Sequence, residues 1–175
     1  MIRIGLLSDT HSYLDDRMTE LLGECDEIWH AGDIGSCPVT DRLRQVRPLR
    51  AVYGNIDGYD LRLQFPHLLR FKCEGVDVLM THIGGYPGHY DRNLLLLLKN
   101  DPPALLIAGH SHILRVIYDQ KLKFLYINPG AAGQHGFHLV RTLVRFTIDG
   151  DQVKNLEVVE MGKRGASEFE PDSAP

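Results

Sequence analysis

The sequence predicts an α/β domain, and three observations carry that prediction. Short apolar, β-prone runs recur through the first two-thirds of the chain. Between several of them lie stretches with leucines at helical spacing. After Ser111 the texture changes to strand-like segments separated by turn signals.

In order, the strand-like runs are Ile2–Leu7, Glu27–Ala31, Leu49–Tyr53, Val76–Thr81 and Ala104–Ala108. The helical stretches are DDRMTELLGE, VTDRLRQV and DRNLLLLLKN, with Asp15 and Thr40 as expected N-caps. Alternation of this kind belongs to an α/β arrangement. The later segments ILRVIYDQ, LKFLYINPG, TLVRFTIDG and VKNLEVVEM are expected to be antiparallel strands that continue or face the earlier sheet. The polar end GKRGASEFEPDSAP is expected to be a disordered tail, giving one domain over 1–161 and a tail over 162–175.

Composition narrows the function classes. The 175 residues suit one domain with a sizeable core, and the formal charge of −4 gives no basic footprint for a long nucleic acid. Cys25, Cys37 and Cys73 have no C-x-x-C spacing and read as reduced thiols, which points to the cytoplasm. The opening MIRIGLLSD is too short an apolar stretch for a signal peptide. Leu94 to Leu98 is likewise far below the ~20 residues of a membrane span, so it reads as part of a buried helix. Neither a membrane nor a nucleic-acid partner is expected. A homo-oligomer remains open.

The informative regularity lies at the end of each apolar run. RIGLLSDTH ends in Asp9 and His11, EIWHAGD in Asp33 and RAVYGN in Asn55. DVLMTH ends in His82, and LLIAGHSH in His110 and His112. In an open α/β sheet, loops beyond the strands' carboxyl ends converge on one crevice. Taken alone, Asp9 or Asp33 reads as a helix cap, Asn55 as a turn residue beside glycine, and each histidine as a surface or hydrogen-bonded residue. Five strands each delivering such a residue to one edge make a constellation. Two Asp, one Asn and four His form a mixed O/N donor set without thiolate, suited to Mn, Fe, Zn, Co or Ni. Seven donors exceed the needs of one ion, so two divalent ions sharing a ligand is the economical assignment. Such a centre is cationic and suits hydrolysis at phosphorus.

The ordered string D-x-H (Asp9, His11), G-D (Asp33), G-N-x-D (Asn55, Asp57), T-H (His82) and G-H-x-H (His110, His112) resembles the calcineurin-like metallophosphoesterases. It is most similar to their small single-domain bacterial and archaeal phosphodiesterases. The resemblance runs from Ile2 to about Gly130 and implies a four-layer sandwich of two mixed sheets flanked by helices. It implies further that Asp9, His11 and His112 hold one metal, that Asn55, His82 and His110 hold the other, and that Asp33 bridges them. A bridging hydroxide would then attack phosphorus in line, with Asn55 and His82 at the reacting centre. Asp57 would hold the Asn55 loop from behind.

One departure bears on specificity. Many members of the superfamily carry histidine between the Asn and the acidic residue, where this chain has Ile56. Isoleucine cannot protonate a leaving group. The small phosphodiesterase branch also lacks that histidine, so the resemblance favours small or flexible phosphodiesters over monoesters. Asn55 is expected to contact substrate, and His89, in the loop after His82, is a further candidate substrate contact. His135 and His138 in NPGAAGQHGFH read as loop residues with at most a substrate role, because the metal shell is already full. His30 and Trp29 read as core, and His67 has no positional argument. Two other functions stay in view: a phosphomonoesterase, and a non-catalytic scaffold resembling the retromer subunit of this superfamily. Against the scaffold stands the intact set of seven donors. A nucleotide-binding domain is excluded because the first strand leads into SDTHS rather than a glycine-rich loop.

Overall fold

A computed structural model describes residues 1–165. Its elements in order are β1 (Ile2–Leu7), α1 (Asp16–Gly23), β2 (Glu27–His30), α2 (Cys37–Val46), β3 (Leu49–Ala51), α3 (Tyr59–Gln64), β4 (Leu68–Cys73) and β5 (Val76–Thr81). A small hairpin comes next, β6 (Gly85–Tyr86) and β7 (His89–Tyr90). Then come α4 (Arg92–Asn100), β8 (Leu105–Ile107), β9 (Arg115–Asp119), β10 (Phe124–Asn128), β11 (Val140–Asp149) and β12 (Gln152–Lys163).

The strands form two mixed five-stranded sheets, ordered β12-β11-β1-β2-β3 and β4-β5-β8-β10-β9. Alternation along each strand divides the side chains between two faces. Ile4 and Leu6 of β1 join Val78 and Met80 of β5, Leu105 and Ile107 of β8, and Phe146 of β11 in a core between the sheets. Trp29 lies in that core with its ring edge-on to Phe71 and Phe146. Leu7 and Ile28 face the other way, onto Met18 and Leu22 of α1 and Leu43 of α2. On the far side, Leu79 and Leu106 pack against Leu94 and Leu98 of α4. Three cores between four layers are the sandwich that the resemblance implied. Leu94 and Leu98 lie one turn apart and are buried, whereas Leu96 is exposed, so the leucine run is one amphipathic helix.

Several details differ from the sequence expectations. Asp15 caps α1, its carboxylate accepting from the Met18 N–H at 2.8 Å. Thr40 does not cap α2. The cap lies four residues earlier, at Ser36, with a proline in the helix's first turn, and proline tolerates that position because it has no N–H to lose. The late strands are not all antiparallel. β11 pairs antiparallel with β1 and β12 antiparallel with β11 in the first sheet, but β10 runs parallel to β8 in the second. β4, α3 and the β6–β7 hairpin were not anticipated. Finally, β12 runs through Lys163, beyond Gly162 where the tail was expected to begin, and residues 166–175 of that tail lie outside the described residues.

Candidate metal centre

The carboxyl ends of β1, β2, β5 and β8, together with the loop after β3, meet at one end of the sandwich. Backbone bonds fix their spacing. Asp9 N–H donates to Gly32 O at 3.0 Å and His11 N–H to Asp33 O at 3.0 Å, so the β1 and β2 loops continue the parallel pairing of their strands. Gly109 N–H donates to His82 O at 3.0 Å, doing the same for the second sheet. Across the sheets, His110 N–H donates to the Asp9 carboxylate at 3.2 Å.

Local conformation then turns the side chains inward. Asp9, His11, Asp33, His110 and His112 all adopt left-handed backbone, with φ of 56, 46, 52, 68 and 57°. Non-glycine residues seldom do so, and each costs about 1–2 kcal/mol. Strain of this kind concentrates where a particular side-chain direction is needed. Gly54 is required for a related reason, since a Cβ there would stand 2.0 Å from Asp33 Oδ1.

The result is two clusters, Asp9 with His11 and His112, and Asp33 with His82 and His110, the donor atoms of each lying within 4.8 Å of one another. Asp9 Oδ1 lies 3.1 Å from His112 Nε2 and 4.0 Å from His11 Nε2. Asp33 reaches both ways, with Oδ1 3.2 Å from His82 Nε2 and Oδ2 3.7 Å from His11 Nε2. Asp9, Asp33 and His82 are essentially buried. Yet Asp9 Oδ1, His11 Nε2 and His82 Nε2 have no hydrogen-bond partner. Buried polar atoms without partners are costly and rare, so three that face one another fit the coordination of a cation. The tautomer of His82 agrees. Its Nδ1–H donates to Ala31 O at 2.8 Å, which leaves Nε2 as a lone pair toward the centre.

Ionisation follows from these contacts. Burial works to raise the Asp33 carboxyl, but the facing His82 and the Ile56 N–H outweigh it and hold the group below its ordinary value. Burial works to lower His82, and the neighbouring Asp33 and Asp9 instead push it up. His11, with burial dominant over the same carboxylates, is lowered.

Behind these donors stand residues that hold the loops. The buried Asp57 carboxylate accepts from the N–H groups of Ile34, Gly35 and Gly54 at 3.1, 2.7 and 2.7 Å, tying the Asn55 loop to the Asp33 loop. Asn55 lies exposed at the rim. It lines both the main cleft of about 540 Å³ and a neighbouring cavity of about 240 Å³ that also contains Arg62, His67 and His82. His30 accepts from Gly32 N–H at Nδ1, 3.1 Å, so its Nε2–H donates to the Thr10 hydroxyl at 2.9 Å. It is a satisfied buried residue, as expected. Sequence reasoning missed Thr10 and Asn128. The amide of Asn128 donates to Gly109 O at 2.8 Å and Ser111 Oγ at 3.1 Å, fixing the loop of His110 and His112. The N-P-G turn was the available signal for Asn128.

The structure does not bring His89 to the cleft. It sits on the β6–β7 hairpin against Tyr86, lining a separate cavity with Tyr118 and Lys121. His135 and His138, set aside as loop residues, do come to the cleft, with rings 4.8 Å from His11 and 5.4 Å from His112.

Comparison with known proteins agrees with this geometry. Residues 2–151 match the model of the calcineurin-like phosphoesterase superfamily domain. A probable metallophosphoesterase of Methanothermobacter thermautotrophicus is 30% identical over 137 residues, spanning 73% of this chain and 76% of that protein. A probable metallophosphoesterase of Methanocaldococcus jannaschii is 32% identical over 135 residues, spanning 73% and 67%. Among solved structures, an archaeal phosphodiesterase superposes with a TM-score of 0.72 at 21% identity, covering 91% of this chain and all of that one (100%). Vps29 of Entamoeba histolytica complexed with zinc superposes with a TM-score of 0.69 at 17% identity, covering 91% and 99%. These two likenesses speak to the fold alone.

Proposed function

Because the chain belongs to the calcineurin-like phosphoesterase superfamily, we propose that it is a metal-dependent phosphodiesterase whose two donor clusters each hold one divalent ion. The observation that carries this reading is the set of buried, partnerless donor atoms on Asp9, His11 and His82. Asp9, His11 and His112 would hold one ion, Asn55, His82 and His110 the other, and Asp33 would serve both through its two oxygens. The oxygen and imidazole set suits Mn or Ni, and equally Fe, Co or Zn. When bound, two such ions supply Lewis-acid polarisation of a phosphoryl oxygen and a lowered pKa for water.

The chain's own groups do the rest. Among the described residues the cleft lining includes Asp33 but neither lysine nor arginine, so cations held by the donors would supply the countercharge for an anionic ester. The Asn55 amide, at the rim, donates to a phosphoryl oxygen. Asp57 keeps that loop in register with Asp33. Ile56 gives a leaving oxygen neither a proton nor a hydrogen bond; the resemblance to the small phosphodiesterase branch, which also lacks a histidine there, is what supports small or flexible phosphodiesters as substrates over monoesters. The three cysteines are free thiols, in keeping with a cytoplasmic protein, and no helix among the described residues is long and apolar enough to cross a membrane.

The test is hydrolysis of an activated aryl phosphodiester by purified protein supplied with Mn or Ni, beside a monoester with an equally good leaving group. The reading expects metal-dependent turnover and a preference for the diester. Activity that survives full chelation, or none with any transition metal, would overturn it. A clear monoester preference would replace the diesterase assignment with a monoesterase. The alternative of a non-catalytic scaffold draws support from the fold likeness to Vps29, and the complete donor set weighs against it.

A further inference from the structure

Three apolar side chains stand in solvent at the mouth of the main cleft. Phe137 is 100% exposed, Ile113 56% and Ile56 46%, and all three line the cleft of about 540 Å³ over the donor clusters. None belongs to any of the three cores. A single exposed apolar residue needs no explanation, but several around one polar site do.

The loop that presents Phe137 is tied down on both sides. The His138 ring Nε2–H donates to Gly133 O at 2.9 Å, Arg164 Nε donates to His138 O at 2.9 Å, and Gly165 N–H donates to the Gln134 side chain. At Gly136 φ is +125°, and a Cβ there would lie 2.1 Å from His112 Nδ1. Only glycine lets the backbone press this closely on His112. Phe137 is therefore held beside the cleft, and none of the described residues covers it. His135, from the same loop, exposes a second ring beside His11.

We propose that Phe137, His135, Ile56 and Ile113 form a collar that receives the organic arm of the ester, and that this arm is a planar aromatic group, an aryl ring or a nucleobase. The inference rests on the phosphodiesterase reading above, with the phosphoryl group at the donor clusters. Two rings and two β-branched side chains offer flat and apolar contact. Among the described residues no lysine or arginine lines the cleft, so none of them offers a fixed positive charge to a second anionic group on the arm. The Ser111 oxygen accepts from the Ile113 N–H at 3.3 Å and the Asn128 amide at 3.1 Å, so both of its lone pairs are taken. The collar thus meets the arm through its flat face.

Titration calorimetry on Mn-loaded protein tests this without relying on turnover. The probes are inorganic phosphate, methyl phosphate, phenyl phosphate and adenosine 5′-monophosphate. The expected result is that phenyl phosphate, the adenosine compound or both bind about tenfold tighter than methyl phosphate. Which of the two gains affinity identifies the arm as aryl or nucleobase. Phe137→Ala should remove that margin and Phe137→Tyr should restore it. If inorganic phosphate binds but no aromatic margin exists, or if the margin survives Phe137→Ala, the collar is refuted while the metal centre stands. If none of the four probes binds although the protein retains its Mn, the placement of the phosphoryl group at the donor clusters is wrong and the collar falls with it.

Discussion

At the residue scale, the two histidines of AGHSHI show how much backbone conformation matters. Residues two apart on an extended segment share a side, which suggests that both imidazoles reach the crevice by simple alternation. The structure achieves the separation differently. His110 and His112 are both left-handed, and each joins a different cluster. Replacing His110 with Ala should leave the ion at Asp9 and His11, and replacing His112 should leave the ion at Asp33 and His82. Elemental analysis of the two variants after metal loading and desalting checks this. Loss of both ions from either variant would point to a single shared site.

His30 carries a second prediction at this scale. Full burial lowers its pKa from 6.5 to about 4, and its two nitrogens are committed to Gly32 and Thr10. The unfolded chain therefore takes up a proton near pH 6.5 while the folded chain does not. Stability from this residue is complete above that pH and is lost as pH falls toward 4, by on the order of 3 kcal/mol. Urea unfolding of the wild type and His30→Gln between pH 7 and pH 4.5 measures it. A pH slope that the substitution leaves unchanged would assign the effect to other groups.

At the element scale, the centre depends on loops that are held from behind. The Asp57 carboxylate satisfies three N–H groups across two loops, and an amide oxygen cannot replace both of its oxygens as acceptors. Asp57→Asn should weaken metal binding about 10–100-fold, the usual cost of losing an outer support. A metal titration that gives wild-type affinity would show that the Asn55 and Asp33 loops hold their places without it.

Legibility also varies by element. The donors are readable because each comes directly after a run of apolar residues, and apolar runs are what burial on both faces of a strand writes into a sequence. Strand β4 escapes notice because only alternate residues turn inward, Leu69, Phe71 and Cys73 being more buried than Leu68, Arg70 and Lys72. Helix α3 has 6 residues, too few for a periodic signal. Left-handed histidines and aspartates leave no mark at all, because composition does not record φ. Counting donors misleads in one place. A full metal shell makes His135 and His138 look superfluous, yet their loop folds over the cleft.

At the scale of the whole molecule, four layers place the ends of two different sheets against each other. Asp9 and Asp33 come from the first sheet, His82 and His110 from the second, so neither cluster is complete until the sheets have packed. The sandwich itself is reached through the family resemblance, because apolar runs alone do not say which of two sheets a strand joins. The most direct measurement is a titration of metal-stripped protein with Mn, reading bound ions per chain and hydrolysis of an aryl phosphodiester on the same samples. Two bound ions per chain, with full rate appearing only as the second binds, is the result predicted. Full rate in the stripped protein, or saturation without any bound metal, would contradict the proposed centre.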